Sequence, residues 1–404
     1  MHETYDPEIL RHVPPARVSS AINPRLGIVG GGQLAKMTAL AGLQLGCDVV
    51  VLERNNYSPA ANLASHSIVG DWDHPEALLK LASQVDVVTL ENEFVEAVSL
   101  RALEEAGYAL YPTARSIALV QDKFIQKQAL AAAGLSVPRF QAVATASELE
   151  EAAARLGWPL LLKARRNAYD GKGNATVRAA ADAAAAWMKL GGNQGRELFV
   201  EEFFDFTMEL AVIVTRGRDG ASVSYPVVET VQRNHVCHLV KAPAPVPGEV
   251  AVHADEVARK AVAAVGAVGS FGVEMFLTGE GKIVVNELAP RVHNSGHYTI
   301  EACVCSQFEN HVRAVLGWPL GSTAMVAPAA VMVNLLGTAR AAGHPHGLER
   351  ALTVPGAHVH IYGKAMSGAG RKMGHVTLLG ATLDEALATA QRAASFIQFG
   401  NSQL

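Results

Sequence analysis

The stretch from Val284 to His297, VVNELAPRVHNSGH, brings together several side chains that could do chemistry. An apolar strand runs directly into Asn286 and Glu287, whose side-chain oxygens are suitable ligands for a hard cation. Arg291 and His293 follow in a short polar loop. An arginine can neutralise developing negative charge, and a histidine can orient or protonate a reacting group. The stretch therefore predicts one end of a reaction site.

A second strand upstream, FGVEMFL, carries Glu274 and ends in the turn GEGK. If GEGK is a four-residue hairpin loop, Thr278 pairs with Ile283, and Glu274 falls opposite Glu287. Opposed carboxylates repel each other, and Mg²⁺ would relieve the repulsion because it binds one or two carboxylates together with phosphate oxygens and water. The hairpin therefore predicts Glu274 and Glu287 as metal ligands. The alternative is a surface hairpin with two solvated acids.

A glycine turn at Gly30–Gly32 follows a strand and opens a helix, as in dinucleotide-binding sites. Glu53 ends the next strand, where a ribose-binding acid would stand. Taken alone, this pattern favours NAD. Amides at a helix start also bind a substrate phosphate, which would make Gln33 a substrate contact, and a purely structural tight turn is a third possibility.

Lys163 ends an apolar strand just before the glycine-bearing loop AYDGKGN. A lysine beside such a loop suits a triphosphate, because the loop can cover the nucleotide and offer backbone amides. An exposed hairpin turn with solvated lysines is the alternative. Glu201, Glu202 and Glu209 lie at strand ends, where they could contact an adenine amino group and a ribose hydroxyl. Lys123 opens an alanine-rich helix and could equally lie on a solvated face.

The bulk properties exclude several classes of protein. A length of 404 residues predicts two or three domains. A formal net charge of -4 gives no electrostatic argument for nucleic acid or an anionic membrane. The most apolar long window, 261–277, is broken by glycines and Glu274 and is not a membrane span. Four scattered cysteines and an acidic N-terminus without an apolar core predict a cytoplasmic protein without a signal peptide.

The order of elements predicts an N-terminal extension followed by three α/β units. The extension is polar and contains several prolines, and we expect residues 1 to about 22 to be dispensable for chemistry. Strands and helices alternate in the first unit, which predicts a parallel, Rossmann-like sheet. One helix is expected from Ser116 to Ala133, a strand from Tyr225 to Val228, and a last helix from Leu383 to Ala394. The predicted divisions are 1–24, 25–115, 116–318 and 319–404.

Seven strings of the chain resemble the ATP-grasp enzymes. They are GGGQLAKM, DKFIQKQAL, KARRNAYDGKG, VEEFFDFTME, YPVVE, NELAPRVHNSGH and YGKAMSGAGRKMGH. They are collinear, extend from residue 27 to about residue 380, and most closely resemble the 5-(carboxyamino)imidazole ribonucleotide synthetase family. The resemblance implies an ATP-grasp fold with a Rossmann-like pre-ATP-grasp domain and a small C-terminal domain. It also implies that ATP and bicarbonate are used to carboxylate 5-aminoimidazole ribonucleotide in purine biosynthesis. We expect a homodimer.

The resemblance also implies a role for individual residues. Mg²⁺ would be bound by Glu274 and Glu287, and the ribonucleotide by Tyr169, Asp170, Lys364 and Arg371. Lys163 and Arg291 would supply positive charge, and His293 would orient the intermediate or make a structural hydrogen bond. The implied ATP contacts are Lys123, Lys163, Ala168, Tyr169, Asp170, Gly171, Lys172, Gly173, Asn174, Glu201, Glu202, Phe203, Phe204, Glu209, Gln232, Asn286 and Glu287.

One departure and two alternatives stay open. Gln232 stands where many relatives have an ATP-contacting histidine, so that contact is uncertain in the sequence. A different ATP-grasp ligase, such as formate-dependent glycinamide ribonucleotide transformylase, would share the ATP site. A dinucleotide-dependent oxidoreductase or a non-catalytic nucleotide-binding module would use the glycine turn but has no need of a paired-carboxylate hairpin.

Overall fold

The computed structural model describes residues 23–168 and 173–400. Residues 1–22 of the expected N-terminal extension lie outside the described residues. No helix of the described ranges is both long enough and apolar enough to cross a bilayer.

The first unit is a four-stranded parallel sheet with helices packed on it, as the alternating pattern predicts. The strands lie in the order β3-β2-β1-β4. The carboxyl ends of parallel strands meet at one edge of a sheet, so Gly30, Glu53 and Glu91 are neighbours. The elements are β1 (Arg25–Val29), α1 (Gln33–Gln44), β2 (Asp48–Glu53), β3 (His66–Val69), α2 (Pro75–Ala82), β4 (Val87–Leu90) and α3 (Ala97–Glu105).

The single helix expected from Ser116 to Ala133 is wrong, because the chain forms α4 (Ala114–Gln121) and α5 (Lys123–Ala132). Asp122 lies between them with extended backbone angles, and its carboxylate accepts hydrogen bonds from the amides of Phe124 and Ile125. The same carboxylate pairs with Arg165 at 2.6 Å. An aspartate N-cap starts a new helix at Lys123.

The second unit begins with a four-stranded antiparallel sheet of order β5-β8-β6-β7. The loop between β6 and β7 contains residues 169–172, which are not described. The elements are β5 (Phe140–Val143), α6 (Glu148–Leu156), β6 (Leu160–Ala164), β7 (Asn174–Val177), α7 (Ala180–Lys189) and β8 (Leu198–Glu202).

A nine-stranded sheet joins the rest of the second unit to the last one. Its order is β14-β13-β9-β11-β12-β15-β17-β16, with β10 paired to β9. The expected strand at Tyr225–Val228 is wrong, because Pro226 lacks an amide donor and β11 begins only at Val228. The strands are β9 (Met208–Arg216), β10 (Ser222–Ser224), β11 (Val228–Arg233), β12 (Val236–Ala242), β13 (Gly269–Leu277), β14 (Ile283–Ala289), β15 (Ala329–Leu336), β16 (His358–Ile361) and β17 (Lys372–Gly380).

The helices of this part bury the sheet and attach the first unit to it. Helix α8 (Gly248–Ala264) covers β9, β13 and β14, and α12 (Leu383–Ser395) covers β15 and β17. The bounds of α12 confirm the last helix that the sequence predicts, from Leu383 to Ala394. Helix α10 (Gln307–Leu316) packs against both α1 and β13 and so joins the two units. The short helices α9 (Thr299–Ala302) and α11 (Leu348–Ala351) complete the fold.

Candidate active site

All three units contribute to one cavity of about 1310 Å³. Gln33 enters it from the first unit, Lys163 and Glu287 from the second, and Lys364 and Arg371 from the last. A cavity of this size at the junction of several units is the usual position of a small-molecule site. It has room for more than one substrate.

The paired carboxylates face each other as predicted, although the turn does not have the predicted register. Leu277, not Thr278, pairs with Ile283, which would displace Glu274 from Glu287 by one residue. A β-bulge at Asn286 restores the pairing, so Glu274 and Glu287 are opposite after all. A bulge also changes the direction of side chains, and here the consecutive residues Asn286 and Glu287 both line the cavity.

The electrostatics of the pair are those of a site that needs a cation. Burial, followed by the charge of Glu287, raises the pKa of Glu274. Burial would also raise the pKa of Glu287, but the nearby Lys123 ammonium, which forms an ion pair with it, holds it below the usual range. Glu287 is thus paired with an ammonium group of the chain, whereas the Glu274 carboxylate lies 3.4 Å from the ring nitrogen Nε2 of His293.

These residues fit Mg²⁺ better than a metal bound wholly by protein. No group of three or more His, Cys, Asp or Glu in the described ranges converges to hold a metal. Two carboxylates and the neighbouring Asn286 are the small, oxygen-only donor set that Mg²⁺ accepts when phosphate oxygens and water complete its shell.

Lys163 belongs to a buried group that we call the lysine cluster, consisting of Lys127, Lys163 and Glu201. The Glu201 carboxylate lies 2.9 Å from the Lys127 ammonium and 2.8 Å from the Lys163 ammonium. Burial alone would raise the pKa of Glu201, but the two lysines lower it below its usual value. Of the three, only Lys163 lines the cavity.

Arg291 and His293 lie where the sequence predicts, on the loop after β14, and both line the cavity. Arg291 pairs with Glu93 of the first unit through Nε–Oε2 at 2.5 Å and a second nitrogen at 3.0 Å. The fork of Arg291 is therefore held across the junction between the units.

His293 is held as a neutral imidazole. Burial, followed by Arg291, lowers its pKa to about 3. Its Nδ1 accepts from the Ser295 amide, and its Nε2 lies 3.4 Å from Glu274. Gln307 holds the backbone on both sides, accepting from the His293 amide at 2.9 Å and donating to its carbonyl at 2.7 Å. Gly272 leaves room for the ring, because a Cβ there would lie 2.5 Å from His293 Cγ.

Lys364 and Arg371 form the wall contributed by the last unit. Lys364 donates to the carbonyl of Lys372 at 2.7 Å, and Arg371 donates to the carbonyl of Met366 at 2.7 Å. Lys36 of α1 donates to the carbonyl of Ile361 at 2.9 Å, which fastens the first unit to this wall.

Most of the predicted ATP contacts line the cavity, but not all of them. Glu202 lies on the other face of β8, where it pairs with Arg139 at 2.7 Å, because neighbouring residues of a strand point in opposite directions. Phe203 lines the cavity, whereas Phe204 does not line it and stacks on Phe276. Gly173 and the Glu201 side chain also do not line the cavity, and Tyr169, Asp170, Gly171 and Lys172 lie outside the described residues. The predicted contacts that line it are Lys123, Lys163, Ala168, Asn174, Phe203, Glu209, Gln232, Asn286 and Glu287.

Sequence reasoning missed several lining residues. Phe206 and Phe276 line the cavity and stack with ring centroids 4.4 Å apart. The period-2 pattern of VEMFL puts Phe276 on the same face as Glu274, so this signal was available. His235 and Lys372 also line the cavity, but they are brought there by strand pairing that the local sequence does not reveal.

Two amides of the glycine turn are occupied by carboxylates of the chain itself. The amide of Gly31 donates to Glu53 at 2.8 Å, and the amide of Gly32 donates to Glu91 at 2.6 Å. Because carboxylates of the chain already occupy these two amides, the expected contact of the turn with a substrate phosphate would depend on Gln33 and stays a prediction. The same occupation removes Glu53 as an open ribose ligand for NAD. Gln33 itself still lines the cavity.

Comparison with known proteins matches each of the three units of this chain to a domain of one family. Residues 24–121 match the ribonucleotide synthetase preATP-grasp domain, residues 128–308 the ATP-grasp domain, and residues 330–389 the phosphoribosylaminoimidazole carboxylase C-terminal domain. The N5-carboxyaminoimidazole ribonucleotide synthase of Synechococcus elongatus is 43% identical over 361 residues, which cover 89% of this chain and 90% of that protein.

Two crystal structures from Aspergillus clavatus agree with this chain over nearly their whole length. One is carboxyaminoimidazole ribonucleotide synthase complexed with ATP, with a TM-score of 0.85 and 38% identity over 93% of this chain and 98% of that one. The other is N5-carboxyaminoimidazole synthase in complex with ADP and 5-aminoimidazole ribonucleotide, with a TM-score of 0.85 and 37% identity over 92% and 98%.

The fold and the cavity thus define an ATP-grasp enzyme, an ATP-dependent ligase that forms carbon–nitrogen bonds. Within that class, the chain belongs to the N5-carboxyaminoimidazole ribonucleotide synthase family.

Proposed function

We propose that this enzyme uses ATP and bicarbonate to carboxylate the amino group of 5-aminoimidazole ribonucleotide, releasing ADP and phosphate. The observation that carries the proposal is the single cavity, in which a nucleotide-binding set and a separate basic wall face one space. The set consists of Lys123, Lys163 and Glu287, and the wall of Lys364 and Arg371. Family membership supports the same substrates.

The first step transfers the γ-phosphoryl group of ATP to bicarbonate. A bicarbonate oxygen forms a bond to phosphorus, the bond to the ADP oxygen breaks, and carboxyphosphate results. Such a transfer depends on positioning and on neutralisation of charge. Lys163 and Lys123 bind the phosphate oxygens, and Arg291, held by Glu93, faces the transferred group. Glu274 and Glu287 would hold Mg²⁺, which supplies further neutralisation of the phosphate charge when bound.

The second step moves the carboxyl group to the ribonucleotide. The amino nitrogen forms a bond to the carboxyl carbon, the bond from that carbon to the phosphate oxygen breaks, and phosphate leaves with the proton lost from nitrogen. Because carboxyphosphate decomposes in water, the cavity must exclude solvent during this step. Neutral His293 can donate a hydrogen bond to the intermediate without competing with Arg291 for negative charge. Lys364 and Arg371 anchor the ribonucleotide phosphate.

Release of ADP is the measurement that tests this function. We expect turnover only when ATP, bicarbonate and 5-aminoimidazole ribonucleotide are all present. Bicarbonate labelled with ¹⁸O should transfer one label to the released phosphate, because its oxygen attacks phosphorus. Turnover with formate and glycinamide ribonucleotide instead would contradict the proposal, as would unlabelled phosphate.

We further propose that the enzyme is a cytoplasmic homodimer. The compartment is supported by four cysteines, Cys47, Cys237, Cys303 and Cys305, all buried as free thiols. Light scattering on the full chain gives the mass of the assembly, and a monomer at micromolar concentration would contradict the dimer.

A further inference from the structure

The three charged side chains of the lysine cluster come together in the fold in a way that the sequence does not show. Its members come from three elements: Lys127 from α5, Lys163 from β6 and Glu201 from β8. Their side chains are 3%, 8% and 2% exposed. Charged groups are almost never buried to this extent without a partner, so the three form one electrostatic unit.

Strand pairing and helix periodicity bring the three side chains of the cluster together. Leu161 is paired with Glu201, so Lys163 is a diagonal neighbour of Glu201 on the same face of the sheet. Lys127 follows Lys123 by one helical turn, so both ammonium groups project from the same face of α5. Lys127 also donates to the backbone carbonyl of Asn286 at 2.9 Å. Lys127 therefore contacts the bulged strand β14 without lining the cavity, whereas Lys163 lines the cavity.

The charges do not balance within the cluster. Two ammonium groups share one carboxylate, which leaves one positive charge in excess. If Glu201 faced Lys163 alone, the pair would be neutral and Lys163 would offer little attraction to an anion. Because Lys127 takes up part of the Glu201 charge, the excess is expressed at Lys163, the member that lines the cavity.

We propose that Lys127 and Glu201 are positioning residues for phosphate binding: Glu201 fixes the Lys163 ammonium in the cavity, and Lys127 keeps it from being neutralised. This inference rests on the proposed function only in naming the phosphates of ATP as the anion. It assigns the Glu201 side chain to Lys163 and Lys127, in place of the direct adenine or ribose contact that the sequence favours.

A merely structural role for Lys127 makes a different prediction. In that case the bond to the Asn286 carbonyl matters and the charge does not. The variant Lys127→Gln separates the two, because a glutamine amide can still donate to that carbonyl but carries no charge. The double variant Lys127→Gln with Glu201→Gln then removes the carboxylate as well and restores one net positive charge at Lys163.

The experiment measures MgATP affinity by calorimetry and KM by steady-state kinetics. Lys127→Gln should weaken ATP binding roughly tenfold or more and leave KM for the ribonucleotide nearly unchanged. The double variant should recover most of that loss, because only the charge balance is restored. Lys127→Arg should lie closer to the wild type than Lys127→Gln does.

Lys241→Met is the matched control. Lys241 pairs with Glu229 at 2.9 Å, outside the cavity lining, so loss of that ion pair should leave ATP affinity unchanged. Normal ATP binding by Lys127→Gln, or a double variant no better than the single one, would overturn the inference. Equal effects on ATP and ribonucleotide would do the same. Failure of the proposed function would appear instead in the wild type, as ATP binding without ribonucleotide-dependent turnover.

Discussion

The glycine turn and the strand end at Lys163 both look suited to phosphate in the sequence, yet the folded chain treats them in opposite ways. At the glycine turn, the amides of Gly31 and Gly32 already donate to Glu53 and Glu91. At the lysine cluster, one carboxylate serves two lysines and positive charge is left over. A motif locates donors and charges, but distant partners decide whether any remain for a ligand.

The difference has a structural origin. The glycine turn lies at the edge of a parallel sheet, where the ends of β1, β2 and β4 meet and bring acidic side chains to the same place. The lysine cluster is formed by α5 together with the paired antiparallel strands β6 and β8. There the strand pairing brings Glu201 next to Lys163, and α5 adds a second cation.

The largest effect should come from removing the charge of the Glu287 carboxylate, which pairs with Lys123. We expect Glu287→Gln to leave the fold intact and to lower ATP turnover by roughly a hundredfold or more, because the carboxylate would hold Mg²⁺ on the phosphates. Steady-state turnover and the melting temperature give the two readouts. Glu280→Gln, in the exposed turn of the same hairpin, should behave as wild type. Near-normal turnover in Glu287→Gln would remove the metal assignment.

The second largest effect should separate the two substrates. Arg371→Ala should raise KM for the ribonucleotide roughly ten- to a hundredfold, since an arginine–phosphate contact contributes about 1.5–3 kcal/mol. KM for ATP should change little. Arg392→Ala, an exposed arginine on α12 of the same unit, is the control. Equal changes in both KM values would mean that Arg371 supports the structure and not the ribonucleotide.

The glycine turn should respond through packing. A Cβ on Gly32 would lie 2.0 Å from a Glu91 carboxylate oxygen, so Gly32→Ala must displace Glu91 and should lower stability by about 1–3 kcal/mol. Gly42→Ala, inside the helix α1 that Gly32 caps, meets nothing closer than 3.4 Å and should be neutral or slightly stabilising. Denaturant unfolding measures both. If Gly32→Ala also bound NAD or a free phosphate as tightly as wild type binds ATP, the contrast between the two regions would fail.

These regions also show how far the sequence alone could lead. The opposition of Glu274 and Glu287 could be predicted from strand periodicity, although two errors of register, at the turn and at the Asn286 bulge, cancelled. The helix start at Lys123 could be predicted from the sequence, but the break before it at Asp122 could not, because the apolar period continues through this residue and favours one helix from Ser116 to Ala133. The partners of Glu201 could not be predicted, because strand pairing and helix packing bring them together from distant parts of the chain.

The smallest effect concerns a contact of His311 that joins the first unit to the large sheet. His311 of α10 accepts from the Ser270 amide through Nδ1 at 3.0 Å, and its Nε2 lies 2.8 Å from Thr89 of the first unit. Burial lowers the pKa of His311 to about 4. Since the unfolded chain binds a proton near pH 6.5 and the folded chain does not, this group makes stability fall as pH decreases from about 6.5 towards 4. The expected slope is about 1 kcal/mol per pH unit. His311→Gln removes the ionisable ring, so its unfolding free energy should be lower at pH 7 but should depend less on pH over this window. His253→Gln, on an exposed side chain, should keep the wild-type slope. Unfolding by denaturant between pH 7 and pH 4.5 measures both slopes, and equal slopes for wild type and His311→Gln would show that His311 does not contribute to the pH dependence of stability.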